Sequence, residues 1–313
     1  MPARPLGRSG LDVSAIGLGC NNFGRRLDLD GTAAVVDAAL QHGVTFFDTA
    51  DIYGSGQSET FLGEVLQGRR DQVVLATKFG MELYETSVPR GSRDYVMRAV
   101  EGSLERLQTD HIDFYWYHQP DGRTPVSETL RALHELVGQG LVRAVGASNF
   151  SAEQLVEADS AATEHGLTPF TAVQNEYSLL VREAERDVLP ECERLGIGFV
   201  PYFPLASGLL TGKYRRGSAA PSGARLSGRE QIATDAQFDV IEALAAYADE
   251  RGLAMSDVAI GALLARPAVS SVIAGATRPE QVLANAQAAA WQPSQTELDE
   301  LERCLAGASA PSQ

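Results

Sequence analysis

Thr45-Phe46-Phe47-Asp48-Thr49-Ala50-Asp51-Ile52-Tyr53-Gly54 reads as a short buried strand that runs into two titratable groups. The β-branched and aromatic residues of 44–47 suit a central strand, and Asp48 falls where that strand leaves the core and a side chain can face a cavity. Tyr53 follows five residues later, ahead of a Gly54-Ser55-Gly56 turn. A carboxylate and a phenol at a strand exit form either an acid/base pair or two satisfied polar groups at the rim of a sheet. The surrounding chain decides between the two.

Working outward, one unit recurs: a short apolar run, a loop and an amphipathic helix. Upstream, residues 4–6 and 11–13, parted by Gly7-Arg8-Ser9-Gly10, predict a hairpin, and a first strand follows at 15–18. Ala33, Val36 and Leu40 on one face, with Gly43 beyond, predict a helix over 32–41. Downstream, helical spacing predicts helices over 59–66, 93–107, 126–139, 152–165, 183–195, 236–251 and 257–265. The helix at 152–165 opens on a capping box of Ser151 and Gln154. Apolar runs predict strands at 73–76, 112–117, 142–146, 171–174, 197–200 and 269–273. Eight strand-plus-helix units without a linker predict an α/β fold, a single (β/α)8 TIM barrel with an N-terminal β-hairpin, as one domain over 1–313. An open doubly wound sheet is the competitor, but Gly17-Leu18-Gly19-Cys20-Asn21-Asn22 lacks the third glycine of its phosphate turn. The aperiodic stretch 214–233 reads as a mobile loop over a site, or as a tolerated surface insertion, and the tail 307–313 as frayed.

The 313 residues are 44% hydrophobic, enough for a sizeable core, and carry a formal net charge of −15. That charge argues against a nucleic-acid or membrane partner, and an anionic cofactor would need locally placed cations. Cys20, Cys192 and Cys304 are odd in number, far apart and without metal-ligand spacing, as in a reducing compartment. No apolar core of a signal peptide follows Met1, so the expected location is cytoplasmic. The oligomeric state is left open.

In such a barrel the chemistry sits at the C-terminal ends of the strands. The strand exits carry, in order, Asp48 and Tyr53, Lys78, His118, Ser148-Asn149, Gln174, Tyr202 and Thr277-Arg278. Around them stand Phe47-Asp48-Thr49-Ala50-Asp51-Ile52-Tyr53-Gly54, Thr77-Lys78, Tyr117-His118-Gln119-Pro120-Asp121, Val145-Gly146-Ala147-Ser148-Asn149-Phe150 and Val173-Gln174-Asn175-Glu176-Tyr177-Ser178. Later come Pro204-Leu205-Ala206-Ser207-Gly208-Leu209-Leu210-Thr211-Gly212-Lys213-Tyr214 and Ile273-Ala274-Gly275-Ala276-Thr277-Arg278. Over essentially the whole chain this resembles the aldo-keto reductase superfamily, in the branch that holds bacterial stress-type reductases and potassium-channel β-subunits. The resemblance implies that Asp48, Tyr53, Lys78 and His118 are the catalytic tetrad, and that a small carbonyl substrate is reduced with NADPH and without metal. It departs at Trp116 and Tyr117, where a Gln and a Leu are common, and at Phe203, where many members carry Ser.

On that reading Tyr53 is the general acid. A free phenol has a pKa of ~10, and a cation beside it brings it nearer the working pH, which is the role expected of Lys78 held by Asp48. A neutral His118 would complete a two-donor oxyanion pocket. Asn149 and Gln174 suit a nicotinamide carboxamide with Ser148 close by, and Tyr202 offers a stacking ring. By resemblance, Leu205, Ser207, Leu209 and Lys213 meet the pyrophosphate, and Asp48 and Gly275 belong to the cofactor contacts. Thr277 and Arg278 precede Pro279 at a helix start, which suits a 2′-phosphate, and Gln281 and Asn285 share one face of that helix, towards the adenine. Phe23, Trp116 and the 81–91 segment are candidate walls of the substrate site. Two alternatives stay open: an NADPH-binding redox sensor of the channel β-subunit kind, and a biosynthetic oxidoreductase acting on a sugar or polyketide-derived intermediate.

Overall fold

The computed structural model describes residues 1–81, 83, 87–228 and 231–308. Eight parallel strands form one sheet: β3 (Ile16–Gly19), β4 (Phe46–Asp48), β5 (Val74–Phe79), β6 (Ile112–Tyr117), β7 (Val142–Ser148), β8 (Ala172–Gln174), β9 (Gly198–Phe199) and β10 (Val272–Gly275). They lie in chain order, with β10 returning beside β3. The last seam closes through a parallel bridge between Phe199 and Val269 and a hydrogen bond from the Ile273 amide to Pro201 O (3.0 Å). The sheet is therefore a (β/α)8 barrel.

The N-terminal hairpin, β1 (Ala3–Pro5) paired antiparallel with β2 (Asp12–Ser14), plugs the bottom of the barrel. Its Leu6, Leu11 and Val13 share one buried cluster with Phe46, Phe114, Trp116, Ala144 and Ala172. Gly7 makes the turn at a φ of 54°, and a Cβ there would stand 2.0 Å from Thr171 O. A side chain at this position would lift the plug out of the barrel.

Strand parity then decides what points inward. Side chains alternate between faces, so residues two apart share one. Phe46, Ala76, Phe114, Ala144 and Ala172 are in the interior cluster, whereas Phe47, Leu75, Tyr115, Val145 and Val173 pack under the helices. Continued by one step of two, or two such steps in β6 and β7, the interior columns end at Asp48, Lys78, His118, Ser148 and Gln174. The polar residues that the strand exits offered thus converge on one mouth.

Around the sheet lie α1 (Leu29–Gln41), α2 (Gln57–Val65), α3 (Arg93–Leu107), α4 (Val126–Gly138), α5 (Ala152–His165), α6 (Val188–Leu195), α7 (Asp235–Glu250), α8 (Met255–Leu264), α9 (Pro279–Ala288) and α10 (Gln295–Ala308). The capping box at Ser151 and Gln154 is present. Four expectations need correction. α1 begins at Leu29 because Asp28 accepts the Gly31 amide (2.9 Å) and caps it earlier. The helix expected over 183–195 is broken: a 3₁₀ turn, Glu183–Glu185, precedes a non-helical Asp187 (φ −131°), and only then does α6 start. The tail is not frayed at 307 and 308, since α10 runs to Ala308 with Leu301 and Leu305 packed in a second core beside α7; residues 309–313 lie outside the described residues. The last strand also sits later than expected, at Val272–Gly275, because Val269 bridges Phe199 instead. Among the described residues no helix is long and apolar enough to cross a membrane.

Gly146 fits the middle of β7 for lack of a side chain: a Cβ there would stand 2.6 Å from Ala172 O and 2.7 Å from the Trp116 ring. Overpacking a core typically costs ~1–3 kcal/mol. Gly146→Ala should lower the denaturation midpoint by that order, as read in a urea titration; an unchanged midpoint would mean that β7 and β8 part easily.

Candidate active site

At the mouth of the barrel a buried ion pair ties β4 to β5. Lys78 Nζ lies 2.5 Å from Asp48 Oδ2, and both side chains are almost wholly enclosed. The ammonium also donates to Thr49 O (2.8 Å) and to Tyr53 Oη (3.4 Å), while Asp48 Oδ1 accepts from Gln174 Nε2 (3.0 Å). Every strong donor and acceptor of the pair is thereby answered, the condition on which a buried ion pair is tolerated. Tyr53 reaches it from a turn, Tyr53–Gly56, in which Gly54, Ser55 and Gly56 all have positive φ. Ser55 is the strained member, held there by its neighbours.

The electrostatics follow from that enclosure. Burial pushes the Tyr53 hydroxyl up, and the Lys78 ammonium opposes it. Burial alone would discharge Lys78, but Asp48 and Tyr53 outweigh it and leave its pKa raised. His118 stands with its ring edge-on to Tyr53, centroids 6.0 Å apart. Burial first, and the Lys78 charge second, push its imidazole down to about 3. Its Nδ1 is buried without a partner, so a proton there would be an orphan donor, and the neutral ring carries its hydrogen on Nε2. Phenol, ammonium and imidazole N–H are thus the polarising groups of one spot.

This spot is one end of a cavity of about 1030 Å³. Asp48, Tyr53, His118, Ser148, Asn149, Gln174, Tyr202, Leu205, Ser207, Lys213, Gly275, Thr277, Arg278, Gln281 and Asn285 all line it. Two of the anticipated residues do not. Lys78 lies just beneath, in contact with Asp48 and Tyr53, and the Leu209 side chain is buried in the second core. Of the expected substrate walls, Trp116 is in the barrel interior, two residues below His118 on the same face, and Phe23 is in the core under the helices. No described residue of 81–91 lines the cavity, and 82 and 84–86 lie outside the described residues. The loop 214–233 does cover the site: Tyr214 and Leu226 anchor it, the Leu226 amide donating to Tyr214 Oη (3.2 Å), and Pro221 to Arg225 line the cavity. Residues 229 and 230 lie outside the description.

Several polar groups are already committed. Asn149, at a φ of 60°, donates through Nδ2 to His118 O (2.9 Å) and Ser148 Oγ (3.2 Å), and accepts from the Tyr202 hydroxyl (2.8 Å). It therefore holds Tyr202, and keeps one Oδ1 lone pair for a ligand. Gln281 Oε1 accepts from the Thr277 amide (2.7 Å) and caps the approach to α9.

Away from Tyr53 the cavity is cationic. Arg26, Lys213, Arg225 and Arg278 line it, and Asp48, already neutralised by Lys78, is the single acidic residue among the lining ones. Lys213 loses basicity first through burial and then through Arg26 and Arg278, which puts these three charges in one field. Beside them the segment 203–208 carries positive φ at Phe203, Ala206, Ser207 and Gly208. Its Leu205 and Ser207 amides have no partner among the described residues. Unpaired backbone donors, three clustered cations and the N-terminus of α9 form a cradle for phosphate groups, so the residues fit a nicotinamide dinucleotide.

The site is thus a group of inward titratable residues at one end of a large, cation-lined cavity at the mouth of a (β/α)8 barrel. The Aldo/keto reductase family matches residues 15–306, and the chain belongs to that family of oxidoreductases, whose members generally use NAD(P)H. The chain is 35% identical, over 97% of both proteins, to an Arabidopsis thaliana protein named "Probable voltage-gated potassium channel subunit beta". A protein of Oryza sativa subsp. japonica with the same name is 36% identical over 92% of this chain and 91% of its own. "Uncharacterized oxidoreductase YrpG" of Bacillus subtilis is 38% identical over 88% and 87%.

Sequence reading missed Arg26, Asn22 and Arg225. The exit of the first strand was weighed only as a phosphate turn, although Arg26 stood there as a cation in an acidic chain. Asn22 donates to Ala276 O (3.2 Å) and joins the loops on either side of the β10–β3 seam.

The buried imidazole gives a direct expectation. Because its folded-state pKa is lowered, His118 penalises the native state progressively as pH falls below the ordinary histidine range. Nitrogen NMR should find a neutral His118 with Nε2–H at pH 5, where exposed histidines are charged; a cationic His118 at that pH would contradict the geometry.

Proposed function

We propose that this chain is an NADPH-dependent carbonyl reductase. The observation that carries the reading is the meeting of Asp48, Lys78, Tyr53 and neutral His118 at one end of the cation-lined cavity. When bound, the cofactor supplies the hydride. Arg26, Lys213 and Arg225, with the Leu205 and Ser207 amides, would hold its pyrophosphate, and Arg278 its 2′-phosphate at the start of α9. Gln174 and the remaining Asn149 lone pair would orient the carboxamide, with Tyr202 beneath the ring.

The substrate carbonyl oxygen would accept from Tyr53 Oη and His118 Nε2. As the carbonyl carbon is reduced, Tyr53 passes its proton to that oxygen, and Lys78 stabilises the phenolate left behind. Asp48 keeps the ammonium pointed at the phenol. Neutral His118 donates without competing as an acid.

A second reading is a redox sensor acting through partners, and the names of the two plant relatives favour it. It keeps the cofactor and the tetrad but predicts slow turnover.

Loss of NADPH absorbance with an activated aromatic aldehyde separates the two. Wild type should turn over, and Tyr53→Phe should lose ~10²-fold or more while still binding NADPH. A wild type that binds NADPH without turnover would favour the sensor. Arg278→Ala should weaken NADPH binding by about tenfold or more and leave NADH nearly unchanged. Equal losses would remove the 2′-phosphate assignment.

A further inference from the structure

Two residues before Tyr53, Asp51 is fully buried, and neither of its carboxyl oxygens has a hydrogen-bond partner. Only its backbone is fixed, the amide donating to Lys78 O (3.1 Å). The charged groups around it come from every neighbouring element. On β5 there is Lys78, bound to Asp48 of β4. On α2 there is Glu59, also fully buried, accepting the Thr77 hydroxyl (2.5 Å) at one oxygen and Arg106 Nε (2.7 Å) at the other. Arg106 comes from α3.

Charge balance then singles out Asp51. Among the described residues, three carboxyl groups share this region with two cations, and each cation already pairs closely with one of the other two carboxylates. A third buried carboxylate would have no counter-ion of its own, and Arg106, the Ile52 amide and Lys78 offset its burial only in part, so a proton belongs on Asp51. Burial first, and repulsion from Glu59 second, push its carboxyl up to about 8, in agreement with the count.

We infer that Asp51 is a positioning residue for the proton on Tyr53: kept neutral, it leaves Asp48 as the one close anion on Lys78, and its ionisation in alkali weakens the ammonium's pull on the phenol. Its carboxyl does not line the cavity described above, so it acts through Lys78. Keeping Asp51 protonated therefore preserves the acidity that Tyr53 needs. The side chain of an Asn has the same shape and no charge, so Asp51→Asn mimics the protonated state at every pH.

The catalytic meaning rests on the reductase reading, but the test does not require turnover. The full chain, wild type and Asp51→Asn, is titrated from neutral to alkaline pH, following the protonated-carboxyl stretch by infrared and the Tyr53 ring carbon bearing the hydroxyl by carbon NMR. Tyr53 is assigned by comparison with Tyr53→Phe. The wild type should show a protonated-carboxyl band at pH 7 that the variant lacks, and the Tyr53 signal should shift as that band disappears. In the variant the shift should be absent and Tyr53 should ionise about fivefold more readily. An ionised Asp51 at neutral pH would overturn the inference, as would Tyr53 titrations that superimpose. Should the variant not fold, the wild type alone decides: a Tyr53 signal indifferent to the loss of the carboxyl band overturns it too.

Discussion

The contact on which the site depends is the ion pair between Lys78 and Asp48. Two charges withdrawn from water cost several kcal/mol each, and their attraction repays this only when the remaining donors and acceptors are met. Here the Thr49 carbonyl, the Gln174 amide and the Tyr53 hydroxyl meet them. Since well-packed apolar side chains would hold two strands together at least as well, the pair is better understood through what it does to its third partner. It holds a full positive charge beside a phenol that burial alone would make a poor acid.

The barrel supplies the geometry for this arrangement without special loops. Interior columns of β4, β5, β6, β7 and β8 are apolar at their lower ends and polar at the last inward position, so a parity fixed by packing delivers the site. The −15 chain then reserves a patch of positive charge for the far end of the same cavity. The cavity thereby has two electrically different regions, one balanced around the Lys78–Asp48 pair and the other cationic.

Much of this was legible in the residues. Apolar runs of the right length, stop signals such as Gly43 and the Ser151 capping box located most elements, and the strand exits named the residues that converge. What escaped depends on depth and on spatial neighbours. Trp116 looked like a wall because it is large and close to His118 in sequence, yet a spacing of two places it below that residue, inside the barrel. Leu209 stands in the segment that the resemblance assigns to the pyrophosphate, but its side chain turns into the core around α7. α10 was overlooked although Ser294 and Glu297 cap it and Leu298, Leu301 and Leu305 repeat at helical spacing. Asp51 stood in the first stretch read, and no pattern in the chain could reveal that Glu59 and Arg106 would enclose it.

The most direct test of the account is the fate of the hydrogen. With NADPH carrying deuterium in both positions at nicotinamide C4 and an aromatic aldehyde as acceptor, the alcohol formed should carry one deuterium on its carbinol carbon, and its hydroxyl hydrogen should come from solvent. An alcohol without deuterium on carbon, or cofactor oxidation with no alcohol formed, would contradict hydride transfer at the Tyr53 end of the cavity.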